Sequence, residues 1–524
     1  MEHFVSEYTH LALLMAALAI FGTILPRCWL RITDNTRLPL PPGLKGIPAV
    51  GWNLRELLAK TPWLGFTALQ NEYGPIVHLT APFRQHIVIL NTLEAASNIL
   101  DRQSAVTSYR PRSILLEILT NGLMIPFLNR ENQTYRRVAK ALQACLKQYP
   151  YESQQYREAV HLVRNILTEV QEHSPVRKWH DKIKDQCVRF SVEMIYGSSI
   201  SSGPTRSHKV DWMVKVLKEF TETMTKLATP GLIDVVPWLP SWIFPWEEEA
   251  RQKFVEYDAT FVNLLNESWE KRPRCGSAIT GGSRLVPPCH DPYPEVQQRL
   301  HCEIDAALGY DKLPSVEELE QIPYLQATVR EALRWRPVAP LGLPHVASSD
   351  FTYGGYQIPK GTILIANIWA INWSTELFGD DAPAFRPERH LTSGVKPVLS
   401  APPDTKEEGH VSFGLGRRAC AGRLFAKKML LINIGLLMWA AKVEAAEPGE
   451  VGFKLDVDGC LDKGVVVRPV PFSCKIIERC AGALKILEQT LAEQTLAEQT
   501  LAEQTLAEQT LAEQALAELQ HEEH

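Results

Sequence analysis

The run Phe413-Gly414-Leu415-Gly416-Arg417-Arg418-Ala419-Cys420-Ala421-Gly422 sets three glycines around one cysteine. Glycine lets a backbone take left-handed turns and approach its neighbours more closely than a side chain permits. Directly after it, Leu424, Met429, Leu430, Ile432 and Leu436 recur at helical spacing, which predicts an amphipathic helix that starts at the cysteine loop. A helix start and nearby arginines favour a thiolate, and a thiolate so placed can ligate iron axially. Arg418 can pair with an anion. The other cysteines, of ten in all, are scattered without a CxxC pair. That excludes a disulfide scaffold and leaves them as small core residues.

Around this loop the chain of 524 residues divides by composition into one large body with appendages. Residues 11–25 are almost wholly apolar, preceded by Glu2 and Glu7 and followed by Arg27, Arg31 and Arg37. That pattern predicts a membrane anchor helix over 1–30 rather than a cleaved signal peptide, with the body kept on the cytoplasmic side. Residues 31–52, with Pro39, Pro41, Pro42 and Pro48, read as a stiff extended linker. The body, 53–480, is mostly helical in pattern from Asn53 to about residue 272, with a short strand-like stretch at 76–90. Trp238, Trp242 and Trp246 stand among prolines in 229–246, a composition that suits either a lipid interface or core packing. The tail, 481–524, holds Thr-Leu-Ala-Glu-Gln five times from Thr490 to Gln514. Five residues turn a helix by about 500°, so successive leucines stand about 140° apart and form no seam. A solvated acidic helix or a disordered tail is expected. The net charge is −5 with no basic block, which argues against nucleic acid as a partner.

Two further motifs carry chemistry. Glu331 and Arg334 in Glu331-Ala332-Leu333-Arg334 lie at i and i+3, so they can pair on one helix face. Phe385-Arg386-Pro387-Glu388-Arg389-His390 follows. With the cysteine loop, these resemble in order the E-x-x-R, F-x-P-E-R-F and F-x-x-G-x-R-x-C-x-G stretches of the cytochrome P-450 superfamily, in wording nearest to fungal microsomal members. The resemblance implies a mainly α fold with a small β region and heme b as cofactor. Cys420 is then the axial ligand of its iron. Phe413, Gly414, Gly416, Arg418 and Gly422 belong to the cofactor loop, with His345 and Arg418 at the haem propionates. Glu331, Arg334 and Arg389 form a buried network. Residues 338–343 line the substrate pocket, and Tyr353 to Gly361 form a hairpin. The implied reaction is insertion of one oxygen atom of O2 into a hydrophobic small molecule of secondary metabolism. No G-x-G-x-x-G opens a helix in this chain, so a separate NADPH-dependent flavoprotein reductase is implied. The anchor then holds the body at the endoplasmic reticulum, facing the cytoplasm.

The chain also departs from that family. The long helix with an A-G-x-[DE]-T pattern is missing. In its place residues 273–294 hold five prolines and three glycines, a composition that no long helix survives. Thr280 lies there without an acid before it. No catalytic residue is therefore assigned, and an internal deletion near 273–294 is the simplest reading. An active monooxygenase, a non-catalytic or vestigial haem-binding membrane protein, and a faulty gene model all stay open. Tyr135 and Ala139 stand where the family has Trp and Arg on a helix near the propionates; Arg136 or Lys140 can substitute, or this is a solvated basic face. Cys275, Cys289, His290, His301 and Cys302 fit no zinc spacing. Helical periodicity resumes at Glu295.

Overall fold

The computed structural model describes residues 38–44, 61–81, 85–148, 151–172, 246–270, 293–394, 398–445, 460–461, 467–469, 474–480 and 482–497, with single residues elsewhere. The anchor, most of the linker, most of the Trp- and Pro-rich segment, Thr280 with the rest of 273–292, and most of the tail lie outside them.

The first helix, α1 (Pro62–Tyr73), leads into an antiparallel pair, β1 (Ile76–Ala81) and β2 (Gln85–Leu90). The helices α2 (Gln133–Gln148), α3 (Tyr151–Glu172) and α4 (Trp246–Glu270) follow. The chain resumes with α5 (Pro294–Leu308) and α6 (Pro323–Trp335). Both begin on proline, whose fixed φ and missing N–H suit the first helical turn. Next come β3 (His345–Val346), a hairpin of β4 (Phe351–Tyr353) and β5 (Tyr356–Ile358), and β6 (Ile363–Ala366). Gly354 and Gly355 turn that hairpin at φ 58° and 81°, the left-handed values a two-residue turn needs. A short helix, α7 (Ile368–Asn372), precedes the cysteine loop and α8 (Arg423–Ala440). The antiparallel pair β7 (Ala441–Ala445) and β8 (Cys474–Glu478) follows.

The larger sheet runs β1-β2-β6-β3, with β2 and β6 parallel and Ile87 opposite Ile363. It places His345 at the sheet edge. The main core forms around α8, packed by α3, α5 and α6. Met429 to Leu436 are all buried. The predicted amphipathic helix is thus buried nearly all round. Leu424, expected on its inner face, is 61% exposed. Close packing explains the difference: a Cβ on Gly435 would stand 2.7 Å from a methyl of Leu319, so neighbours approach α8 from sides the pattern did not mark.

The tail also departs from expectation. Residues 483–497 are helical, and Ala483, Leu487 and Leu491 are buried in the core that α8 centres. Steps of four residues keep one helix face inward. Leu496, one repeat further on, is 65% exposed, as the 140° drift requires. Among the described residues, no helix is long and apolar enough to cross a membrane.

Candidate functional site

Helix α6 carries Glu331 and Arg334, neither of which exposes any side-chain surface. Arg334 Nε and Nη2 donate to the two Glu331 oxygens at 2.7 Å each. The rest of the guanidinium donates to the carbonyls of Asn372, Ala382 and Ala384. Arg389 Nε donates to Glu331 Oε1 at 3.1 Å, and the Arg386 amide to the same oxygen at 2.8 Å. His390 Nε2 is 2.9 Å from Glu331 Oε2. A carboxylate only accepts, so His390 Nε2 carries the proton. Burial works to raise the Glu331 carboxyl, but bonds from Arg334 and His390 win and hold it at about 2. Burial pushes His390 down. His390 is therefore a fourth member of the network, one the motif left unassigned.

The cysteine loop is tied to this network and to the sheet side of the molecule. Cys420 N donates to Phe413 O at 2.8 Å, closing the loop. Gly414 and Gly416 have φ of 74° and 69°. A Cβ on Gly416 would lie 2.0 Å from Leu100 O, so what this glycine approaches is the backbone of the Ser97–Arg102 turn. Gly416 N donates to Asp101 Oδ1 at 2.6 Å. Phe413 is half-buried against the main core, its ring 5.4 Å from that of His410. Cys420 is free and exposed. The protein atoms that crowd it push the thiol up, against the Gly422 amide and Arg423, which pull it down. A bound metal ion would favour the thiolate, because a coordinating thiol is deprotonated.

Three nitrogen-bearing side chains gather nearby. Arg418 donates to Ser108 O at 2.9 Å and Leu128 O at 2.6 Å, and its guanidinium lies 4.5 Å from the Tyr135 ring centre. Arg110 is buried and donates to the carbonyls of Pro126, Leu343 and Pro344. Burial, and then Arg418, lower Arg110 to about 9. Burial, Arg110 and Arg418 hold His345 down at about 3. His345 Nδ1 lies 2.7 Å from Thr107 O, so Nδ1 carries the proton and Nε2 is bare in the neutral ring. Among the described residues neither arginine has a carboxylate partner. A buried arginine, a half-buried one and a suppressed imidazole without an acid are an incomplete charge set. A sulfur donor beside a place for carboxylates fits haem, which Cys420 would hold through its iron and Arg110, Arg418 and His345 through its carboxylates.

Arg110 is the site residue that sequence reading missed. Arg136 and Lys140, the expected substitutes, are exposed, and Arg136 Nε donates to Arg130 O at 3.0 Å. The available signal was local, an arginine fixed before proline in Tyr109-Arg110-Pro111. Residues 338–343 are half-buried except Pro340, which is buried. His301 and Cys302 lie on α5, and among the described residues no group of three or more possible ligands could hold a metal ion. Cys275, Cys289 and His290 lie outside the described residues.

Comparison with known proteins identifies the family. The family profile for cytochrome P-450 matches residues 41–279 and 292–475. A cytochrome P-450 monooxygenase of Armillaria gallica is 36% identical over 495 residues, covering 86% of this chain and 92% of that protein. The monooxygenase iboC of Amanita muscaria is 31% identical, covering 88% and 94%. A cytochrome P-450 monooxygenase of Aspergillus cristatus is 28% identical, covering 86% and 87%. Such enzymes are oxidoreductases that hold haem through an axial cysteine thiolate. With most of its length matched, this chain belongs to the cytochrome P-450 monooxygenase family.

Proposed function

We propose that this chain inserts one oxygen atom of O2 into a hydrophobic small molecule of fungal secondary metabolism, with Cys420 as the axial ligand of haem. The observation that carries the reading is the incomplete charge set of Arg110, Arg418 and His345 beside the cysteine loop. Thiolate-ligated haem supplies the oxygen chemistry, because the sulfur pushes electron density towards the metal. Arg110, Arg418 and, once anions are in place, His345 hold the carboxylates. The Gly422 amide hydrogen-bonds Cys420 and tunes the sulfur. With haem bound, Phe413 would help keep water from it. Electrons come from a separate NADPH-dependent flavoprotein reductase. The segment 1–30 anchors the body at the endoplasmic reticulum membrane, facing the cytoplasm.

A second reading, a haem-binding protein without turnover, is favoured by one observation. The family match leaves out residues 280–291, inside the Pro- and Gly-rich stretch that lacks the acid–Thr pair. Turnover separates the two. The full chain, supplied with haem and a fungal NADPH reductase in phospholipid vesicles, is incubated with a panel of apolar terpenoids under 18O2. One labelled oxygen atom in a product supports the monooxygenase. A chain that binds carbon monoxide in the thiolate manner but yields no labelled product supports the second reading.

A further inference from the structure

Asn372 closes α7 and exposes no surface. Its carbonyl accepts from Arg334 Nη1 at 2.7 Å, so its main chain belongs to the buried network. Its side chain reaches the other way. Val411 N donates to Asn372 Oδ1 at 3.0 Å, and Asn372 Nδ2 donates to Ser412 Oγ at 2.8 Å. A backbone N–H can only donate, which fixes the orientation of the amide and turns Nδ2 towards Ser412. Ser412 Oγ gives its one proton to Leu333 O at 2.6 Å, so towards Asn372 it must accept. A one-way chain therefore runs from Asn372 through Ser412 to Leu333, which lies beside Arg334 on α6. Ser412 N is held in addition by His410 Nδ1 at 3.2 Å. The next residue is Phe413, whose carbonyl takes the Cys420 amide.

We propose that Asn372 is a positioning residue, which transmits the placement of the Glu331–Arg334 network to the Cys420 loop by fixing the main chain at 411–412. It bonds both sides, the network through its backbone and the loop through its side chain. Removing that side chain frees the loop entrance and leaves the Glu331–Arg334 pair in place.

The test compares the full chain with Asn372→Leu, similar in volume but unable to bond, Ser412→Ala, Ser412→Thr and the double variant Asn372→Leu/Ser412→Ala. Amide hydrogen exchange is followed in peptides covering 409–420 and 323–335. In Asn372→Leu and Ser412→Ala, exchange across 409–420 rises roughly tenfold, the scale of one buried group left unbonded. Across 323–335 it stays within about twofold of the parent. Ser412→Thr keeps the hydroxyl and stays near the parent, and the double variant is no looser than the worse single one, as coupled partners require. In haem-supplemented samples the thiolate-type carbon monoxide band falls in the same variants. Equal loosening of both segments, no loosening at 409–420, or additive effects in the double variant each overturn the proposal. The exchange measurement needs no cofactor, so it decides even if the parent gives no thiolate band and the haem reading itself fails.

Discussion

Glu331 and Arg334 meet through two parallel hydrogen bonds of 2.7 Å, with neither side chain exposed. Removing one partner of such a pair leaves an uncompensated buried charge, at a cost on the order of 3–5 kcal/mol. Arg334→Ala and Glu331→Ala should therefore lower the urea midpoint sharply. The His390→Phe change removes a single bond to Glu331 Oε2 and should cost about 1–3 kcal/mol. Equilibrium unfolding monitored by far-UV circular dichroism checks both.

Acid should unfold the protein through the same carboxyl. Glu331 sits at about 2 in the folded chain, below its ordinary value of 4.5. A depressed carboxyl contributes stability that is fully present above the unfolded value and lost as pH falls through the folded one, on the order of 3 kcal/mol for this shift. Stability measured from pH 6 to pH 2 should fall most steeply below about pH 4.5. Glu331→Gln should flatten that limb.

Gly416 and Gly414 should differ although both have positive φ. Gly414→Ala meets its nearest outside atom at 4.0 Å and costs only backbone strain, about 1 kcal/mol. Gly416→Ala drives a methyl to 2.0 Å from the Leu100 carbonyl, so the loop must shift. Haem retention should be close to the parent in the first variant and largely lost in the second, as read from the haem-to-protein absorbance ratio.

Arg110→Ala should speed haem loss by roughly tenfold or more, since a hydrogen bond to a charged group contributes about 1.5–3 kcal/mol. Arg136→Ala, at an exposed position, should leave it unchanged. Transfer of haem to an excess of apomyoglobin measures the rates.

Leu487→Ala should cost about 2–5 kcal/mol, like other buried leucines, because Leu487 exposes no surface. Leu496→Ala should stay within about 0.5 kcal/mol. Truncation after residue 497 should match the parent, and truncation after residue 482 should not. Thermal melts of the four proteins decide this.

Much of the fold was legible where a single local rule governs. Apolar runs at Ile76–Leu79 and Ile87–Leu90 give strands β1 and β2. Val296, Leu300 and Ile304 give the inner face of α5. The i, i+3 spacing of Glu331 and Arg334 gives their pairing. What escaped depends on several distant segments at once. Arg110 bonds carbonyls at 126, 343 and 344, which leaves no periodic mark in the sequence. The buried face of the tail helix begins at Ala483 and Leu487, before the repeats that drew attention. Helix α8 looked one-sided because packing by α3, α5 and α6 cannot be read from its own residues. Asn372 reads as an ordinary polar residue until Val411 and Ser412 are brought beside it.

The most direct measurement is the carbon monoxide difference spectrum of the reduced, haem-supplemented full chain, recorded beside Cys420→Ala. A thiolate-type band in the unaltered chain that disappears in the variant is expected. No such band in the unaltered chain, or a band that survives loss of Cys420, contradicts the assignment of this cysteine as the haem ligand.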